Sequence, residues 1–408
     1  MQSISFLISF ETKEIDLMHN WKRNLIIVWI CQFAAMIGMS AIVPFLPLFV
    51  RELGVTNLDE TAYWSGLVFA GPFFISFFLT PIWGNLGDRY GRKMMTVRAV
   101  LGLAIAQVLV GFSQNVTQLF IARLVQGLLS GFLPAAMALV AANTPKEKTG
   151  YALGLLQSAT AAGTVLGPLV GGLFSDLIGF RGVFFIVAGI LTITGLAVIM
   201  FVTEEKNNNE KNEHTFIDNW KYLLRDEKLL LPAIMIMITA FGVSFIRPTF
   251  VLYIETFSIS SKFLPTITGA LYSIVGVFSI ISAAWWGKQV EKTGIAKNII
   301  YASLLTGTMY LAHSIVYNIY FLIPIRNLLG FGYGALPPLL FTAISNNVAL
   351  ERKGGVLGVG SSFQILGNMI GPVLGGFSAG MVGLRLSFIV TGVFFLLITL
   401  ISFVKIKD

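Results

Sequence analysis

Apolar stretches of about 20 residues, separated by short polar or glycine-rich breaks, recur along this whole chain, and that is the length a helix needs to cross a bilayer's hydrocarbon core. Twelve are legible, near 24–50, 62–83, 94–113, 117–141, 150–174, 181–202, 229–256, 265–287, 296–316, 318–344, 353–380 and 384–404. The ninth and tenth are separated only by a short polar break near Tyr317-Asn318. Between the sixth and seventh lies a longer polar segment with Glu-Glu-Lys, an Asn run and scattered charge, which reads as a flexible or partly surface-helical linker.

The pattern also repeats. Arg123, Gly127, Gly131 and Pro134 return 203 positions later as Arg326, Gly330, Gly334 and Pro337. Trp83-Gly84 and Asp88-Arg89-Tyr90-Gly91 return at the same shift as Trp286-Gly287 and Glu291-Lys292-Thr293-Gly294. Gly163, Gly167-Pro168 and Gly171-Gly172 return 204 later as Gly367, Gly371-Pro372 and Gly375-Gly376, and Ser40 and Pro44 as Ser244 and Pro248. The predicted fold class is therefore an all-α integral membrane protein, with twelve transmembrane helices in two pseudo-symmetric six-helix halves related by a rotation about the membrane normal. The expected layout is a cytoplasmic N-terminal segment (1–23), a first half (24–202), a cytoplasmic linker (203–228), a second half (229–404) and a cytoplasmic tail (405–408). The apolar opening stretch lacks a basic leader and a small-residue cleavage site, so it is not read as a signal peptide, and Met18 is an alternative start.

Composition agrees with the pattern: 55% of residues are hydrophobic and 12% charged, with a mean hydropathy of +0.80, too apolar for a chain with water on its outside. Of 28 Lys and Arg, 20 fall in the segments that a cytoplasmic placement of both termini puts inside. Four (Arg51, Arg181, Lys262, Arg385) fall outside and four lie within helices, as the positive-inside rule demands. The expected location is the inner (cytoplasmic) cell membrane, multi-pass. The net charge of +8 follows from basic loops facing an anionic leaflet and calls for no nucleic acid. Cys31 is the only cysteine and the three His show no ligand spacing, so no metal site is expected. No Gly-rich loop ending in Gly-Lys-Ser/Thr is present, and no cofactor is expected. An enzyme would need paired carboxylates, a nucleophile with its base, or metal ligands within the membrane, and none is visible.

Chemistry concentrates in a few places. Gly84-Asn-Leu-Gly-Asp88-Arg89-Tyr-Gly91-Arg92-Lys93 sets a carboxylate among cations at a tight turn between the second and third helices. The fourth helix carries Arg123-Leu-Val-Gln126-Gly127, and an arginine inside a membrane helix is costly and a functional candidate unless it reaches the interface. The fifth carries Gly163-x-x-x-Gly167-Pro168 with Gly171-Gly172, a smooth glycine face with a proline bend. These stretches resemble the signature loop, the fourth-helix motif and the antiporter motif of the major facilitator superfamily, in particular its twelve-helix drug:proton antiporter branch of multidrug and tetracycline-like exporters. Ile42-Val43-Pro44-Phe45-Leu46-Pro47 fits the same branch. The resemblance implies small-molecule cargo and coupled protons, a chain functional as a monomer in the lipid bilayer, and an outward-facing state latched by Gly84, Asp88, Arg89, Gly91 and Arg92. Asp88 would there meet the opposite half near Gly354-Gly355.

One departure from that branch concerns the proton. No acidic residue lies in the middle of any stretch. Asp88, partnered by Arg89 or Arg98, and Glu255 are the candidates for coupling, because a carrier of protons needs a group that titrates with conformation. Arg247, deep in the seventh stretch beside Pro248, either satisfies carbonyls that the proline frees or binds an anion in the central cavity. The second reading suggests acidic cargo such as a siderophore. Further cavity candidates are Gln32, Phe33, Phe73, Gln126, Gln157, Thr160, Tyr272, Phe331, Tyr333, Gln364 and Asn368.

Overall fold

The computed structural model describes residues 2–204, 216–257, 259–349 and 352–405; for residues 2–20, Pro81, Gly84, Asn85, Asp88, Lys146, Phe216 and Val382 it describes the backbone alone. The first half runs α1 (Gln2–Ala41), α2 (Leu46–Glu52), α3 (Leu58–Tyr90), α4 (Arg92–Phe112), α5 (Val116–Leu128), α6 (Phe132–Asn143) and α7 (Thr149–Phe201). After α8 (Phe216–Arg225) the second half repeats it as α9 (Glu227–Ile246), α10 (Phe250–Glu255), α11 (Leu264–Thr293), α12 (Ile295–Ile315), α13 (Leu322–Tyr333), α14 (Leu336–Asn346), α15 (Lys353–Val382) and α16 (Leu384–Lys405). Among the described residues, ten helical segments are long and apolar enough to cross a membrane. One of them, α7, is two crossings joined at Gly179, whose φ of 76° suits a residue without a Cβ. Adding α12, 21 residues and about 31 Å long at 1.5 Å per residue, makes twelve.

Helix starts follow side-chain chemistry. Asn57 accepts hydrogen bonds from the amides of Asp59 and Glu60, Asn115 from Gln118, and Asp226 from Lys228, each satisfying donors that a first turn leaves orphaned. Four of the expected spans are interrupted. The first breaks at 42–45, the fourth at 129–131, the seventh at 247–249 and the tenth at 334–335. Pro44, Pro134, Pro248 and Pro337 lie in or just after the breaks and lack the N–H that a continuous helix would use. Gly131 supplies a φ of 101° at its break. The breaks occupy matching positions of the two repeats.

Each half has its own apolar core. One cluster gathers buried residues from Trp21 to Val202; the other gathers buried residues from Leu223 to Ile398 and takes in first-half Ala62, with Leu48 packed against it. The halves meet where α3 lies on α15 and α7 on α11. Gly66 leaves no room for a Cβ against the Pro372 carbonyl, nor Gly376 against that of Ala62. Gly172 and Gly269 abut the carbonyls of Pro265 and Pro168, and Ser273 donates across the seam to the Val165 carbonyl at 2.6 Å. All these approaches lie from mid-bundle toward the end that carries Arg51 and Glu255. At the other, basic end, a Cβ on Gly150, Gly154, Gly287, Gly354 or Gly358 would meet nothing within 4 Å. The seam is thus shut at one end and loose at the basic end.

Candidate functional site

Arg123 lies inside the bundle. It is 6% exposed, its Nε donates to the Val68 carbonyl at 3.0 Å, and Nη1 donates to Gln126 Oε1 at 2.6 Å. An arginine reaching for the interface would make neither bond, so the structure favours the interior reading. Arg123 and Gln126 line a cavity of about 90 Å³ together with Phe69, Phe73, Ser130 and, from the second half, Arg247. Val43, at Arg247's place in the first repeat, lines the same cavity, which therefore sits at the junction of the two halves. Among the lining residues there are two guanidinium groups and no carboxylate. The Arg247 guanidinium makes no hydrogen bond or ion pair among the described residues, although the carbonyl-satisfying reading requires one. Its backbone alone is engaged, the amide donating to the Ser244 carbonyl at 3.3 Å and the carbonyl accepting from Tyr272 at 3.4 Å.

Most of the other cavity candidates hold helices together. Gln32 is fully buried, with Nε2 donating to Thr160 at 3.0 Å between α1 and α7. Phe331 packs on Trp285 and Trp286, and Asn368 accepts a 2.6 Å hydrogen bond from Ser244, whereas Phe33 stacks on Trp29 of its own helix. Gln157 reaches Met137 Sδ at 3.9 Å and is exposed, while Tyr333 and Gln364 are half-buried outside the cavity lining. Of the expected cavity residues, then, Phe73, Gln126 and Arg247 meet in one place. The fifth-helix motif is a packing face: Gly163, Gly167 and Gly171 press against α1 at Met36, Ser40 and Ala41, whereas Gly172 presses across the seam. Ser40 also donates to the Gly163 carbonyl at 3.1 Å.

At the basic end, the side chain of Asp88 falls outside what is described. Another carboxylate holds the start of α4. Glu204 accepts from the amides of Arg92 (2.7 Å) and Lys93 (2.9 Å), where exposed N–H groups and the helix dipole favour an anion. Lys93 Nζ returns to the Ile199 carbonyl at 2.8 Å, so the signature loop is tied to the end of α7 within its own half. Gly91, with φ 102°, makes the turn, and a Cβ there would crowd Glu204. Arg98 donates to the Ser130 carbonyl at 2.7 Å and lies over Trp83 at 3.7 Å. Of the two glycines expected to meet Asp88 in the latched state, Gly354 faces open space and Gly355 is covered by Asn219 of α8.

At the closed end, Glu255 is partly exposed. It accepts two hydrogen bonds from Arg51 Nη1, at 2.8 and 2.9 Å, with both side chains partly exposed. Asp176 accepts from the amide and hydroxyl of Thr266 across the same seam. Sequence reasoning missed Arg51 and Glu204. The spacing of 204 between Arg51 and Glu255, equal to the repeat, was a signal that could have found the first.

A twice-built set of six helices with a charged cavity on the seam is the architecture of a secondary carrier. The chain belongs to the Major Facilitator Superfamily, whose family model matches residues 28–317 and 302–408. It is 37% identical to the multidrug resistance protein MdtG of Proteus mirabilis over 383 residues, 93% of this chain and 95% of that protein. The Salmonella schwarzengrund protein of the same name is 37% identical over 92% of this chain and 93% of its own length. Among solved structures, a bacterial homologue of the human lysosomal transporter Spinster, inward-facing and unoccupied, superposes with a TM-score of 0.78 at 15% identity, covering 94% of this chain and 96% of that one. The human organic anion transporter MFSD10 superposes with a TM-score of 0.69 at 16% identity, over 94% and 99%. These two likenesses concern the fold alone.

Proposed function

We propose that this chain is a multidrug exporter, moving small amphipathic molecules out of the cell by alternating access and drawing on proton antiport. The near full-length match to proteins named for multidrug resistance carries the reading. The basic end faces the cytoplasm and both termini lie there, which makes the state described here inward-facing. Residues 24–202 and 229–404 move as two bodies joined by the 203–228 linker, and a single chain suffices. The signature-loop residues Gly84, Asp88, Arg89, Gly91 and Arg92 latch the other state, and the Gly163–Gly172 face is the surface on which the fifth helix turns. Arg98, Arg123, Arg247 and Glu255 are the charges whose surroundings change as the seam opens and closes. A chain of this family is a carrier and not an enzyme. Loss of accumulated dye from cells with and without the gene, before and after collapse of the pH gradient, tests both export and coupling; export indifferent to the gradient would remove the proton.

The cavity supports a second reading, in which the favoured cargo carries an acid. At about 90 Å³ it falls well short of the roughly 300 Å³ of a drug-sized site, so it admits one group of a cargo and not a whole molecule. Two guanidiniums without a carboxylate select an anionic group, and Phe69 and Phe73 take apolar atoms beside it. Arg247→Gln should abolish export of a carboxylate cargo and spare neutral or cationic dyes. Arg247→Lys should rescue in part, since an ammonium cannot form the bidentate pair. Equal loss across all cargo classes, with poor membrane insertion, would leave the broad exporter standing and remove the acid.

A further inference from the structure

The repeat treats one set of helix ends in two ways. At the basic end of the first half, α1, α6 and α7 are knitted shut: Asn24 Nδ2 donates to the Thr203 carbonyl at 2.8 Å, Asn143 Nδ2 donates to the same carbonyl at 3.0 Å, and the Thr203 amide donates back to Asn24 Oδ1 at 3.2 Å. Glu227 and Asn347 stand at the matching places of the second half, 203 and 204 residues later. The counterpart of Thr203, at 406–407, lies outside the described residues. Asn347 turns its amide to the Ala343 carbonyl of its own helix at 2.8 Å, and Glu227 pairs with Lys405 at 2.8 Å. Between α9, α14 and α16 a cavity of about 500 Å³ remains, lined by these residues together with Lys228, Leu231 and Pro232.

Its chemistry is graded along the bundle axis. The rim is charged, at the first residues of α9 and the last of α16. About one turn deeper the wall is Leu231, Pro232 and Ala343. Lys228 has no ion-pair partner among the described residues, and Lys405 keeps donors beyond the one given to Glu227. Pro232 has no N–H for the Lys228 carbonyl four residues back, which leaves an acceptor at the rim. Cations and a free acceptor at the level of the headgroups, with apolar walls below, match a phosphate diester bearing a hydroxyl and acyl chains.

We propose that this cavity seats the headgroup of an acidic phospholipid, with the phosphate on Lys228 and Lys405, the hydroxyl on the Lys228 carbonyl, and an acyl chain along Leu231 and Ala343. The bound lipid does for the second half what the Asn24–Thr203–Asn143 knot does for the first, tying the ends of three helices. Native mass spectrometry of the full chain, titrated in turn with phosphatidylglycerol, phosphatidylcholine and inorganic phosphate, tests it. One phosphatidylglycerol should be retained in preference to phosphatidylcholine. Lys228→Gln should weaken it about fivefold, as expected for one cation at the membrane surface, while Lys228→Arg retains it. Glu227→Gln, which releases Lys405, should tighten it. Equal retention of the two lipids, or no effect of Lys228→Gln, would overturn the site. Displacement by inorganic phosphate at equal concentration would overturn the lipid as its occupant. Lipid binding that appears only after deletion of residues 406–408 would do so too, assigning the cavity to the chain's own tail.

Discussion

Glu204 shows how much a single carboxylate can organise. Both of its oxygens accept from the first amides of α4, so the turn at Gly91 is held by charge-assisted hydrogen bonds and not by a side-chain cap of its own. An amide in its place could keep one of those bonds and would set its NH₂ against the other N–H. Glu204→Gln should therefore cost about 0.5–2 kcal/mol of stability, read as a lower melting temperature in detergent. Asp88→Asn makes the opposite case. A carboxylate in the last turn of α3 changes stability by only about 0.3–1 kcal/mol through the helix dipole, so that variant should insert and melt normally yet export poorly. Normal export from well-expressed Asp88→Asn protein would remove the latch role. Arg326 stands in contrast to Arg123. Leu329 replaces the Gln126 partner, and Nε and Nη2 of Arg326 find no acceptor, the guanidinium lying instead over Phe250 at 3.7 Å.

At the scale of elements, the four interrupted helices and the glycine faces set where the halves bend and touch. Gly172 and Gly269 allow α7 and α11 to meet backbone to backbone, and any side chain at either must push them apart. Overpacking costs about 1–3 kcal/mol, so Gly172→Val should open the closed end about 5- to 150-fold more often. A cysteine placed at Ser273, 7% exposed, reports this through its rate of labelling by an impermeant maleimide; the native Cys31 is fully buried and adds little background. An unchanged rate would mean that the seam is not set by this contact. The twelve spans and the glycine faces were legible in the sequence because apolar length and a repeat of 203–204 are both linear signals. The breaks were not, since a proline in an apolar run marks a bend or a full interruption equally well. Nor was the cavity set, because Gln32, Tyr333 and Gln126 look alike in sequence and only packing separates a helix tie from a lining residue.

For the whole molecule, the closed end depends on contacts that are individually weak. The Arg51–Glu255 pair is 27% and 43% exposed, and such a pair contributes at most about 1 kcal/mol, or fivefold in population. A carrier that must open there on every cycle needs a fastening of that size. Arg51→Glu should raise labelling of the Ser273→Cys reporter by at least the same factor, and adding Glu255→Arg should restore it. Molar salt, which shortens screening to about 3 Å, should erase most of the difference. A double variant no better closed than the single one would assign closure to the backbone seam alone.

Arg51 and Glu255 stand 204 residues apart, at the same place in the two repeats, and they touch. Equivalent positions of a two-fold object can meet only beside its axis. An assembly of two identical first halves would therefore set arginine against arginine there, and one of two second halves glutamate against glutamate. Opposite charges at that point are possible only between unlike copies. The pair thus makes the two halves complementary mates, each selecting the other and repelling its own kind, a preference no ancestor built from identical subunits could have possessed.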